Sequence, residues 1–459
     1  MPTPLVADAI AHYDELLAGR CDPGGWWPRH VDEVRRHWHD EAPVEAFVLR
    51  PLMIDEATYA ATRASLAHVM RAVLLATDRL AADEPMRRAL GIPAYLEPLL
   101  ALDREAGTPT CLGRLDGILG DDGRLTLIEL NSEPQSAPFQ YELERSFEQL
   151  PIAEAFARRF RVRTVNLYEQ MYATLAERGR GGRMPCVAIL DHALWKSHRR
   201  AGIFRPLMYS SARGCPVLYV EPEELDYRDG KLTASGIQVD LVAFVTWELV
   251  INQRKRLVKI LKAIADRAVA VFAGLSRGLL SSYKVVFELL SSPAYRDLFS
   301  PEMVEALARH VPWTRVLGER KTDRGGATVD LLPFVAANRE RLVIKPSGGG
   351  GGANITIGRD TGDEAWAQAI QRGVSQHWIV QELAVPARQR FPVVELGDRG
   401  GRIEQHELSC EHSPYVWNGA HVEGVLGRVV AGPVIHDLGD RPIGLSNGVE
   451  TATWIIDRR

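Results

Sequence analysis

Four short apolar runs punctuate the middle of the chain: CVAIL at 186–190, VLYV at 217–220, LVAFVT at 241–246 and AVAVFA at 268–273. Each has the length of a strand, and helix-like stretches separate several of them. Strands alternating with helices build βαβ units and a mostly parallel sheet, so Met184 to Phe272 is expected to fold that way.

The flanking regions differ. Residues 1–110 are predicted to be mostly helical. In DEATYAATRASLAHVMRAVLLATDRLA, Asp55 to Ala81, the residues Leu66, Val69, Met70, Val73, Leu74 and Leu80 fall close to helical spacing. A long helix is predicted over about Pro151 to Arg178, closed by the breaker cluster GRGGR. Residues 280–310 return to helix. The last third holds more strands: RLVIKP, ANITIG, HWIVQELA, FPVVELG and GRIEQHELS.

Length and composition bound the function. The 459 residues suffice for two to four domains at roughly 100–200 residues each. With 46% hydrophobic and 25% charged residues, the mix is that of a soluble globular chain. A net charge of −4 argues against duplex nucleic acid as a partner. The N-terminus lacks the basic stretch of a signal peptide, and no apolar run reaches membrane-spanning length. Cys21, Cys111, Cys186, Cys215 and Cys410 are odd in number and scattered, without a CxxC. That pattern fits reduced thiols in a cytoplasm.

Two motifs carry chemistry. In LVIKPSGGGGGANITIG, Leu342 to Gly358, strand-like residues flank five glycines on both sides. A linker would have polar flanks, and a Walker A loop or a dinucleotide fingerprint would run into a helix. A glycine-rich hairpin remains, whose bare backbone N–H groups can approach phosphate oxygens. Lys345 stands just before the turn and can add positive charge. The plainer alternative is an exposed hairpin tip without a ligand. The second motif is GRLDGILGDDGRLTLIELN, 113–131, read as strand, turn at 121–123, strand. Alternation puts Arg114 with Asp116, and Glu129 with Asn131, on one face each. Two carboxylates and an amide oxygen suit Mg²⁺, which also takes phosphate oxygens. A solvated hairpin with cross-strand charge pairs is the alternative, against which the apolar flanks count.

Together these motifs resemble the ATP-grasp superfamily in its circularly permuted form, because the acidic RLD…ELN motif precedes the lysine and glycine loop. HWIVQELAVP, 377–386, is similar to the family's adenine-gripping strand and hinge. The segment from Ser281 to Leu317 is similar to the family segment bearing the first ATP-phosphate lysine, here Lys284. The resemblance covers most of 111–459, and family members of this permuted type resemble glutathionylspermidine synthetases and peptide ligases. VTWELVINQRKR and SNGVETATW depart from the family pattern on the substrate side.

The resemblance implies a mixed α/β fold in four parts. These are a helical N-terminal region at 1–110, a metal-binding part at 111–183, a Rossmann-like βαβ substrate side at 184–275, and a nucleotide-binding region with a glycine lid at 276–459. It implies ATP and Mg²⁺ as cofactors and a small-molecule carboxylate and amine as substrates, with no nucleic acid and no membrane. A homodimer or monomer is favoured over larger assemblies. Asp116, Glu129 and Asn131 would hold metal, and Arg114 would be catalytic. Lys284, Lys345, Ser347, Gly349, Gly350, Gly351, Gln381, Glu382 and Leu383 would bind the nucleotide. Arg199, Arg200 and Arg205 are candidates for gripping a substrate carboxylate, with plain surface solvation as the alternative.

An ATP-grasp phosphotransferase would use the same site. GLSRG, 274–278, matches the nucleophile elbow of α/β-hydrolases, with Ser276 as nucleophile and Asp323 or Asp330 and His406 or His412 as partners. In the permuted ATP-grasp pattern the same loop would border the active site, where Arg277 could touch substrate. His406, Cys410 and His412 with Glu404 and Glu407 lack a standard zinc spacing and read better as polar residues along a substrate cleft. QRKRLVKILK, 253–262, reads as an amphipathic helix with its charges in water.

Overall fold

The four apolar runs do form a parallel sheet in the computed structural model of the chain. Its strands, in spatial order, are Ala270–Val271, Leu241–Phe244, Val187–Leu190 and Val217–Val220, and every neighbouring pair is parallel. The structure describes residues 2–20, 28, 30, 45–106, 113–132, 137–178, 183–190, 209–244, 248–272, 274–349, 352–395, 403–432, 445–446 and 448–459. Helix Val258–Ala265 buries Ile260 and Ile264, while Lys259 and Lys262 pair at the surface with Asp226 and Asp266. The second half of the basic run is thus an ordinary amphipathic helix, whereas Arg254–Leu257 ahead of it forms a 3₁₀ turn.

Helix Glu56–Ala82 begins where the Asp55 carboxylate accepts the Thr58 N–H at 2.9 Å. Its buried face includes Leu66, Val69, Met70, Val73 and Leu80, the spacing expected from the sequence. Asp83 ends it and caps the next helix, Glu84–Ala89, by accepting the Met86 N–H. The N-terminal region is not helical throughout, however. Ala46–Val48 joins a large sheet, and Leu52–Asp55 runs parallel to Thr453–Arg458.

The expected helix over 151–178 is broken. Pro151–Phe156 and Leu167–Ala176 are helical, but Phe160–Arg163 between them is a strand, antiparallel to Thr453–Arg458. Phe160 stacks on Phe156 at 5.0 Å, and Phe156 meets Trp454 at 5.4 Å. Pairing with the chain's far end therefore overrides the local helical tendency. Asn166 then restarts a helix by accepting the Glu169 N–H.

Two antiparallel sheets carry the site. Among the described residues the larger has seven strands, drawn from 46–48, 113–131 and 388–451, with the 15-residue strand Ile403–Trp417 as its spine. The smaller has the order Thr314–Val316, Ile379–Glu382, Leu342–Lys345, Thr356–Ile357. Trp313, Trp366 and Trp378 fill a separate apolar cluster beside it.

Candidate functional site

The acidic motif folds as the hairpin its alternation demands. Gly113–Leu119 pairs with Leu125–Asn131, and the turn closes at Gly123, whose φ of +75° favours glycine. Arg114 lies opposite Asn131 and Asp116 opposite Glu129, so all four project from one face. The hairpin is fixed to the spine strand by Glu411 opposite Ile118 and Tyr415 opposite Arg114.

The four side chains are in contact. Arg114 grips Asp116 through Nε–Oδ1 at 2.5 Å and Nη2–Oδ2 at 2.9 Å. The Asn131 amide donates to Asp116 Oδ2 at 2.9 Å and to Glu129 Oε1 at 3.4 Å. Burial and the Glu411 carboxylate push the Asp116 pKa upward, against the pull of Arg114 and Arg428.

The glycine run is also a hairpin. Leu342–Lys345 pairs antiparallel with Thr356–Ile357, Val343 facing Ile357 and Ile344 facing Thr356. Lys284 stands between the helices Ser276–Ser281 and Val286–Ser291 and joins the two hairpins. Its ammonium donates to Gly349 O at 2.8 Å and lies 3.0 Å from Glu129 Oε2. Lys345 donates to Gln381 Oε1 at 2.9 Å, and the Gln381 amide donates in turn to Thr314 Oγ1 at 3.0 Å. Burial works against the Glu129 carboxylate, yet Lys284 and then Lys345 more than offset it and hold the pKa at about 2. Burial brings Lys345 down to about 8; Glu129 opposes this and Lys284 adds to it.

The structure thus gathers Arg114, Asp116, Glu129, Asn131, Lys284, Lys345, Gly349 and Gln381 into one network. Ser347 borders it, its carbonyl accepting the Lys284 N–H and its hydroxyl donating to His377 O. Glu382 is outside this hydrogen-bond network and pairs with Arg324 at 2.8 Å. The Leu383 N–H is held by Arg341 O at 2.8 Å, which leaves no N–H there for a base. Gly350, Gly351, Arg199, Arg200 and Arg205 lie outside the described residues.

The rival sites do not assemble. Ser276 is fully buried, Asp323 is paired with Arg315 at 2.5 Å, and His412 Nε2 is buried without a hydrogen-bond partner. Arg277, the residue of this loop expected to border the ATP-grasp site, pairs with Asp78. The expected polar face of the spine strand is also corrected: Leu408 and Cys410 lie in an apolar cluster, while His406 faces Glu395. The opposite face is the polar one, and sequence reasoning missed it. Glu411 accepts from Ser413 and from Arg428 at 2.7 Å, and Arg428 lies 3.6 Å from Asp116. A charge inside an apolar strand run, as in VLGRVV, is the signal that could have found Arg428.

Asp116, Glu129 and Asn131 fit a hard cation by the chemistry of their oxygens. Among the described residues no three His, Cys, Asp or Glu side chains form a metal-holding group. Two carboxylates and an amide are thus a partial shell, of the kind Mg²⁺ completes with water and phosphate oxygens.

Comparison with known proteins bears on the fold. No family model matches the chain. No curated protein matches it either. Among solved structures, a glutathione synthetase-like effector from Globodera pallida, in its apo form, superposes with a TM-score of 0.58 at 11% identity over 99% of this chain and 98% of that one. A Methylobacillus flagellatus protein provisionally assigned as a γ-glutamylcysteine synthetase superposes with a TM-score of 0.38 at 12% identity over 81% of this chain and 84% of that one. The first likeness shows that this chain has the mixed α/β fold of the effector throughout its length; the second is too weak to argue from.

Proposed function

We propose that the chain is an ATP-dependent ligase of the circularly permuted ATP-grasp kind, joining a small-molecule carboxylate to an amine. One observation carries the reading. Lys284 touches both Glu129 of the acidic hairpin and Gly349 of the glycine hairpin, so two motifs far apart in sequence meet at a single ammonium. The fold shared with a glutathione synthetase-like effector supports a synthetase. So does the order of the motifs, acidic hairpin first. The charge balance fits too: Arg114, Lys284, Lys345 and Arg428 outnumber Asp116, Glu129 and Glu411 by one, which suits an incoming polyanion.

Asp116, Glu129 and Asn131 would hold Mg²⁺, which supplies charge neutralisation at the β- and γ-phosphates. Lys284 and Lys345 bind phosphate oxygens, Lys345 being aimed by Gln381. The glycine hairpin closes over the phosphates and excludes water. A substrate carboxylate oxygen attacks the γ-phosphorus and ADP leaves, giving an acyl phosphate. Arg114 stabilises the charge that develops. The amine nitrogen then attacks the acyl carbon, phosphate leaves with the C–O bond electrons, and the nitrogen loses a proton. Glu382 and the Leu383 carbonyl border the adenine side. The parallel sheet of 184–275 supplies part of the acceptor side, and an amino acid or short peptide is the substrate class.

No described helix is long and apolar enough to cross a membrane. The unpaired thiols of Cys186, Cys215 and Cys410 support a reducing, cytoplasmic setting. The test is product analysis after incubation with Mg·ATP and pools of amino acids, dipeptides and polyamines. ADP, phosphate and a new amide mass are expected. ADP with a phosphorylated small molecule would move the reading to a phosphotransferase, and AMP would overturn the acyl-phosphate route.

A further inference from the structure

Lys284 does more than offer a charge. Its backbone N–H donates to Ser347 O at 2.8 Å, and its ammonium donates to Gly349 O at the same distance. One residue thus holds the rising limb of the glycine hairpin at two points. Tyr283 backs the same limb: a Cβ on Gly348 would come within 2.9 Å of its ring, and its hydroxyl is hydrogen-bonded to that of Tyr95 at 2.8 Å. The Lys284 side chain is buried, 6% exposed, and the other partner of its ammonium is Glu129 Oε2 at 3.0 Å.

A divalent cation and an ammonium cannot share one carboxylate oxygen in a buried site without strong like-charge repulsion. We propose that Lys284 is a tether coupling the glycine lid to the carboxylate site: a cation entering at Glu129 displaces the ammonium, and its hydrogen bond to Gly349 is released with it. The lid is then freed when the cation arrives and the ammonium becomes available to phosphate. The inference rests on the nucleotide-site reading only for the identity of the cation.

The test uses the full chain without nucleotide, with Mn²⁺ as the probe. Binding is read by the spin-resonance signal of free Mn²⁺, and the hold on the lid by hydrogen exchange of the peptide containing residue 284, whose backbone N–H donates to Ser347 O. Lys284→Met is expected to bind Mn²⁺ at least about tenfold more tightly, the scale of a neighbouring ammonium acting on a carboxylate. The amides of that peptide should exchange about fivefold faster, because the remaining Ser347 contact is loosened by the equivalent of one net hydrogen bond. Mn²⁺ added to the wild type should quicken the same amides. Lys345→Met, which removes a nearby charge and leaves both Lys284 bonds to the hairpin in place, should tighten Mn²⁺ and leave that exchange alone. Lys284→Gln, a milder variant that keeps a donor, should protect the lid more than Lys284→Met does. Wild-type lid exchange in Lys284→Met, or a lid indifferent to bound Mn²⁺, overturns the tether. Failure of the wild type to bind Mg·ATP alongside the expected lid and Mn²⁺ results would remove the ligase reading and leave the tether standing.

Discussion

Asp116→Asn is expected to lower ATP-dependent product formation at least about a hundredfold, beyond what loss of an outer-sphere partner gives at a metal site. The side chains are nearly the same shape, so what is lost is the negative charge. Asp116 is nearly buried and accepts from both Arg114 and Asn131. The neutral amide would leave Arg114 and Arg428 sharing one remaining carboxylate, Glu411, and would offer a cation one hard donor fewer. Glu129→Gln should act the same way and also strip Lys284 of its counter-ion. ADP release by each variant, compared alongside circular dichroism to show that the fold persists, checks this. Wild-type rates in either would sink the metal assignment.

The largest effect on stability is expected from a single methyl group. A Cβ on Gly113 would sit 2.2 Å from Asn131 O and 3.1 Å from both Asn131 C and Ser132 Cα. All three are backbone atoms, so no side-chain rotation can relieve the clash. Gly113 is also paired on its other side with Val416 of the spine strand, which blocks retreat. Gly113→Ala should cost about 3 kcal/mol or more, the upper range for overpacking. Because Asn131 carries the strain, the site is disturbed with it. Urea unfolding of the full chain measures the loss, and an unchanged midpoint would mean the hairpin is not held as described.

What could be read from the sequence depended on how local its cause was. Both hairpins were legible because period-two alternation and a glycine turn lie within twenty residues of each other. The parallel sheet was legible for a similar reason, through the spacing of its four runs. Phe160–Arg163 was not, because its strand character comes from Ile455 and its neighbours at the far end of the chain. The Glu411–Arg428 pair was missed for another reason. Periodicity shows that residues share a face, but His406, Cys410 and Glu411 offer no local sign of which face meets Asp116. Only the register between Ile403–Trp417 and Gly113–Leu119 decides it. The hinge shows the limit of motif reading: Gln381 orients Lys345, and the Leu383 N–H is already held by Arg341.

The central claim is that the acidic hairpin, the two lysines and the glycine hairpin form one nucleotide-phosphate site. Titration of Mg·ATP onto the wild type and Lys345→Met, at pH 7 and at pH 9, tests it most directly. Lys345, with its pKa near 8, is mostly charged at the lower pH and mostly neutral at the higher. Phosphate binding by the wild type should therefore weaken as pH rises through about 8. Lys345→Met should bind about tenfold more weakly at pH 7, the worth of roughly one charged hydrogen bond, and should lose most of the pH dependence. An affinity indifferent to both the substitution and the pH would contradict the site.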